Sequence, residues 1–125
     1  MSGQTGVIRL DPNGDPETGL APGKFAGDVI EGDPEERVHR FFVTKRDTMS
    51  EMRVGVYEGS GYAEKVVDYP CDEMSLVPAG SVTITDEDGH EEVFERGDCL
   101  FMPQGFNGIW KQSDNFKKFH MTVCR

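Results

Sequence analysis

Between residues 53 and 123, apolar and polar side chains alternate in short runs, and each run ends at a cluster of turn-forming residues. Arg53-Val54-Gly55-Val56-Tyr57-Glu58, for example, stops at Gly59-Ser60-Gly61. Successive side chains of a strand point to opposite faces, so a period of two broken by Gly, Pro, Asn and Asp reads as half-buried strands. The pattern predicts strands at 53–58, 64–69, 73–77, 81–85, 91–95, 99–102, 108–112 and 118–123. Asp86-Glu87-Asp88-Gly89-His90 separates two of them and predicts a hairpin. Short strands at even spacing mean an all-β fold, a sandwich or a barrel.

The first forty residues follow another pattern. Asp11-Pro12-Asn13-Gly14-Asp15-Pro16-Glu17 and Ala21-Pro22-Gly23 are turn-formers with little apolar content between them. They predict an extended N-terminal arm over 1–40, with irregular turns, ahead of a β-domain over 41–125. Asp33-Pro34-Glu35-Glu36 has a capping residue, a proline at the first helical position and acids in the first turn, so a short helix is expected there.

Composition narrows the partners. A chain of 125 residues is one domain, large enough for one core. Its 23 acidic and 13 basic residues leave a net charge of −10, and the basic residues are scattered. Nucleic acid and anionic membrane would both require a basic patch, so neither is expected as a partner. Cys71, Cys99 and Cys124 are an odd set without CxxC spacing. No disulfide framework is expected, and with no readable signal peptide a reducing cytoplasm fits. In its apolar strand, Cys99 reads as core.

The densest signal is Gly97-Asp98-Cys99-Leu100-Phe101-Met102-Pro103-Gln104-Gly105-Phe106-Asn107-Gly108-Ile109-Trp110. It resembles the second motif of the cupin superfamily, Gly-x5-Pro-x-Gly-x2-His, with Gly108 where the histidine would stand. Tyr57-Glu58, Tyr69-Pro70-Cys71-Asp72-Glu73, Leu76-Val77-Pro78-Ala79-Gly80, Phe94-Glu95-Arg96-Gly97-Asp98 and Trp110 extend the resemblance, most closely to the branch of the ureidoglycine aminohydrolase cupin domain. The resemblance implies a jelly-roll-like antiparallel β-barrel, a homodimer, and chemistry of the amidohydrolase, isomerase or lyase type. It also implies a divalent metal such as manganese, held by three histidines and a glutamate. Glu73 stands at the glutamate position. The two histidines of the first motif would fall at Val67 and Tyr69, or at Val66 and Asp68, and none of these is histidine. No cofactor is therefore expected.

A period of two puts Tyr69, Cys71, Glu73, Ser75 and Val77 on one face, which the resemblance turns toward the lumen. Such a lumen suits a small polar metabolite held by ring stacking and one charge. Glu73 is the first candidate: an acid or base whose pKa burial raises, an anchor for a ligand amine, or a structural carboxylate paired inside the barrel. His120, in the last strand, is a proton shuttle or a hydrogen-bonded structural residue. Tyr57, Tyr69, Cys71, Trp110 and Lys111 are candidate ligand contacts, with core packing or solvated charge as their other roles. Lys118 is a candidate partner for Glu73 or for a substrate carboxylate. A non-catalytic metabolite-binding or accessory module is the alternative to an enzyme.

Overall fold

The computed structural model describes residues 6–45 and 50–124. Among the described residues, eleven strands form two antiparallel sheets: β1 (Ala21–Pro22), β2 (Asp28–Gly32), β3 (Glu36–Lys45), β4 (Glu51–Gly59), β5 (Tyr62–Val66), β6 (Cys71–Ala79), β7 (Ser81–Asp86), β8 (Glu91–Glu95), β9 (Cys99–Met102), β10 (Gly108–Gln112) and β11 (Phe116–Cys124). One sheet has the order β1-β3-β4-β11-β6-β9 and the other β2-β5-β10-β7-β8. The architecture is the expected all-β, jelly-roll-like barrel. Its core lies between the sheets and includes Val66, Val77, Val82, Leu100, Met102, Trp110 and Phe116.

All eight expected strands form, with shifted ends. The strand expected at 64–69 stops at Val66, because Asp68 takes a positive φ of 49°. Tyr69 is then held across the fold: its N–H donates to the Phe106 carbonyl, and its carbonyl accepts from Gly105 N–H. The 86–90 turn is the expected hairpin. The Asp86 carboxylate accepts from the N–H groups of Asp88 and His90, and Gly89 supplies the positive φ.

The arm departs from expectation. No helix forms at Asp33-Pro34-Glu35-Glu36; the chain enters β3 at Glu36 and pairs with β4 as far as Lys45. Capping signals act within one turn, and a ten-residue strand with a long antiparallel partner outweighs them. The barrel wall therefore begins before residue 41. Further upstream, β1 joins the six-stranded sheet and β2 the five-stranded one. Residues 23–27 thus cross from one sheet to the other, and Phe25 packs edge-on against Tyr62, with ring centres 5.0 Å apart. Lys117 Nζ donates to the Pro12 carbonyl at 2.6 Å and Arg37 to the Leu20 carbonyl at 2.8 Å, fastening the arm to the outside of the sheet.

The cysteines also depart from expectation. Cys71 and Cys124 form a disulfide, although they lie 53 residues apart in sequence. Strand register sets them directly opposite each other on β6 and β11, with a Cα–Cα distance of 4.3 Å, a proximity that residue counting does not show. The argument from cysteine usage to a reducing compartment loses its basis. Cys99 is free and exposed rather than core, since its neighbours Leu100 and Met102 take the inward positions of β9.

Candidate functional site

Strand β6 builds the site. Cys71, Glu73, Ser75 and Val77 are buried and face the lumen, as the period of two requires. A cavity of about 370 Å³ opens between the sheets above Glu73. Tyr57 from β4, Trp110 from β10, Lys118 and His120 from β11, Tyr69, and Cys71 share its lining. The candidates Glu73, His120, Tyr57, Tyr69, Cys71 and Trp110 are thus brought together. Lys111 is not: Trp110 and Gln112 point inward, so Lys111 points out, where its ammonium lies 3.3 Å from Glu31. Cys71 is disulfide-bonded to Cys124 and offers no thiol.

Glu73 is the most engaged group. Its side chain is only 6% exposed and that of Lys118 14%. Lys118 Nζ donates to Oε2 at 2.7 Å, Ser75 Oγ to the same oxygen at 3.1 Å, and Tyr69 OH to Oε1 at 2.5 Å. The Lys118 ammonium also lies over two rings, 4.6 Å from the centre of Trp110 and 5.3 Å from that of Tyr57. This corrects the expectation that burial raises the Glu73 pKa. Burial does oppose its charge, but the Lys118 ammonium and the hydrogen bonds from Lys118 and Tyr69 prevail, and the carboxyl is held at about 2. Burial, with the nearby Lys118 charge, pushes His120 down to about 4, so its imidazole is neutral at neutral pH. Its Nδ1 is buried and finds no hydrogen-bond partner among the described residues. Gly55 leaves room for that ring: a Cβ there would come within 2.9 Å of Nε2.

Two further carboxylates line the cavity from opposite sheets, Glu36 on β3 and Glu64 on β5. Burial raises the pKa of both. Glu64 accepts from Tyr62 OH at 2.8 Å. Sequence reasoning missed both carboxylates as site residues. Glu64 had a readable signal, because the period of two puts it on the same strand face as Tyr62 and Val66; Glu36 was hidden by the arm assignment. Tyr57 and Trp110 are tied together through Gln112, which accepts from Trp110 Nε1 at 2.9 Å and donates to Tyr57 OH at 3.1 Å.

The metal implied by the resemblance does not suit this donor set. Both oxygens of Glu73 are taken, one of them by a cation. Val67 is exposed, and Tyr69 donates a proton to Glu73 where a histidine would offer a lone pair. Gly108 has no room for a side chain, because a Cβ there would run into the Thr85 carbonyl oxygen and the Phe106 ring. Among the described residues, no group of three or more His, Cys, Asp or Glu side chains is arranged to hold a metal ion.

Comparison with known proteins agrees with this architecture. A Pseudomonas syringae pv. tomato protein of unknown function from the DUF861 family superposes with a TM-score of 0.79 at 23% identity, over 90% of this chain and 46% of that one. The chain thus spans less than half of that protein's length. The Clostridium difficile EutQ protein superposes with a TM-score of 0.59 at 17% identity, over 74% of this chain and 70% of that one. The polyketide cyclase RemF of Streptomyces resistomycificus gives 0.59 at 12% identity, over 94% and 78%. At these identities the likeness shows the fold alone. No curated protein sequence matches the chain. The model of the EutQ-like cupin domain matches residues 54–120, more than half of the sequence and all the strands that build the floor of the cavity, so the chain belongs to the EutQ-like cupin domain family.

Proposed function

We propose that the barrel is a metal-independent binding pocket for a small polar metabolite, with Glu73 as the fixed anion that holds Lys118 and Tyr69 at its floor. One observation carries this reading: a buried carboxylate accepts three hydrogen bonds beneath a cavity walled by Tyr57 and Trp110. A polar floor under aromatic walls is the usual composition of a small-molecule site. A carboxyl held at about 2 is a weak base at neutral pH, so Glu73 serves as an anchor rather than as a proton acceptor. A second reading, catalysis of the amidohydrolase, isomerase or lyase type, is favoured by Glu64. Its carboxyl is raised by burial and faces the same cavity, which suits proton transfer better.

The outer face of the six-stranded sheet supports a homodimer. Met74, Leu76, Phe101 and Met121 are exposed there, and register sets Met121, Met74 and Phe101 side by side on β11, β6 and β9. An apolar patch of this kind suits a second copy of the chain.

The pocket reading is tested by thermal shift and Trp110 emission on chelator-treated protein, against a panel of small amides, hydroxy acids and amino acids. The expected result is a saturable response to at least one class that EDTA does not remove. A panel that moves neither signal overturns the reading.

A further inference from the structure

We propose that the Lys118 ammonium takes the place of a metal ion in this barrel, and that it holds the ligand by a neutral carbonyl oxygen. The inference rests on the reading of the cavity as a metabolite pocket and names the chemistry of its inner end.

The glutamate of the metal motif is retained as Glu73, but a cation on a tether already occupies its Oε2, at 2.7 Å. The surrounding residues match an ammonium and not a metal. Tyr69 and Ser75 donate protons to the carboxylate, and the faces of Trp110 and Tyr57 flank the ammonium. At position 108 the backbone and the Phe106 ring leave no space for an imidazole. A carboxylate this buried requires a cation, and Lys118 supplies one without an ion from solution.

An ammonium carries three protons, and one is committed to Glu73. The neighbouring donors are engaged as well. Trp110 Nε1 donates to Gln112, Gln112 Nε2 to Tyr57 OH and to the Ser60 carbonyl, and Tyr69 OH to Glu73. Besides His120, whose buried Nδ1 also has no partner among the described residues, the inner end offers N–H from Lys118, and the complement of that cationic donor is an oxygen acceptor. That oxygen is a neutral one. Glu73 already balances the Lys118 charge, and Glu36 and Glu64 lie within electrostatic reach of the same ammonium. The other cations of the lining are Lys24 on the arm and Arg40 and Arg53, which act on His120, so a ligand carboxylate at Lys118 would face three carboxyl groups. An amide or ketone carbonyl supplies the acceptor without the charge.

The test uses the full chain and the indole N–H resonance of Trp110, its sole tryptophan, titrated with acetamide, sodium acetate and manganese chloride. Acetamide should shift the resonance saturably, acetate should do so more weakly, and equimolar manganese should not broaden it. K118M should weaken acetamide binding by about tenfold or more, the loss expected for a hydrogen bond from a charged donor. The double variant E73Q/K118M should show the same loss with the charge balance kept, in case K118M fails to fold. Broadening by equimolar manganese that EDTA reverses overturns the replacement of the metal. Acetate binding as tightly as acetamide overturns the neutral carbonyl. Acetamide binding unchanged in E73Q/K118M overturns the role of Lys118 but leaves the pocket reading standing, since a ligand still enters. A wild-type protein that responds to neither organic probe overturns the inference, while the metabolite panel decides the pocket reading separately.

Discussion

Strand β6 carries opposite chemistry on its two faces. Inward it presents a carboxylate and a hydroxyl, Glu73 and Ser75, at 5% and 3% exposure; outward it presents Met74 and Leu76, at 49% and 41%. The neighbouring strands extend both faces. Lys118 and His120 of β11 line the lumen, while Met121 of β11 and Phe101 of β9 lie exposed outside. An antiparallel sheet with one wet face ordinarily turns its apolar side inward. Here the arrangement is reversed over one region, while the ordinary one returns at Val77, Val82 and Phe116, which are fully buried. The reversal coincides with the candidate cavity on the inner face. The charge inside belongs to the candidate site, and the apolar surface outside is the face proposed for the dimer.

The strongest way to break this contrast is to remove one charge from the inside. K118M leaves the Glu73 carboxylate buried without a cation and should cost about 3–5 kcal/mol in urea denaturation. E73Q/K118M should recover most of that loss, because a neutral pair requires no counter-charge. If the double variant is as unstable as K118M, the pair is not the cause.

Acid probes the same face with a smaller effect. His120 is held at about 4, below its ordinary 6.5, so the unfolded chain binds a proton that the folded one refuses as pH falls through that window. Glu73 is held at about 2, below its ordinary 4.5; the stability it contributes is present above 4.5 and lost as pH falls toward 2. Unfolding free energy measured against pH should therefore fall in two steps, and His120→Gln should abolish the upper one. A profile unchanged by that variant would contradict the assignment.

The outer face should answer differently. Phe101→Asp adds a charge at a position 62% exposed and should change the stability of the barrel itself by no more than about 0.5 kcal/mol. In light scattering the wild type should be a dimer and the variant a monomer. Equal masses for the two proteins would remove the dimer from this face.

Much of the barrel was legible because period and turn chemistry are local. Glu73, Tyr57, Trp110 and His120 reached the cavity because alternation puts each on the inner face of its strand, and the same rule should have sent Lys111 outward, next to Trp110. Tyr69 reached it from the loop after β5, held by its backbone bonds to Phe106 and Gly105. The arm was misread because Glu36–Lys45 becomes a strand only by pairing with β4. The direction of the Glu73 shift was missed because Lys118, a candidate partner in the sequence, lies 45 residues away, and only strand register brings its ammonium to the carboxylate.

The sequence by itself determined the strands, their inward faces and the motif that places Glu73, since these follow from residue alternation and from turns a few residues long. Only the tertiary structure decided the Cys71–Cys124 bond, the closure of the barrel by the arm, the pairing of Glu73 with Lys118 and the loss of space at Gly108. Each of these depends on register between strands far apart in sequence, and register is set when the two sheets close on a common core.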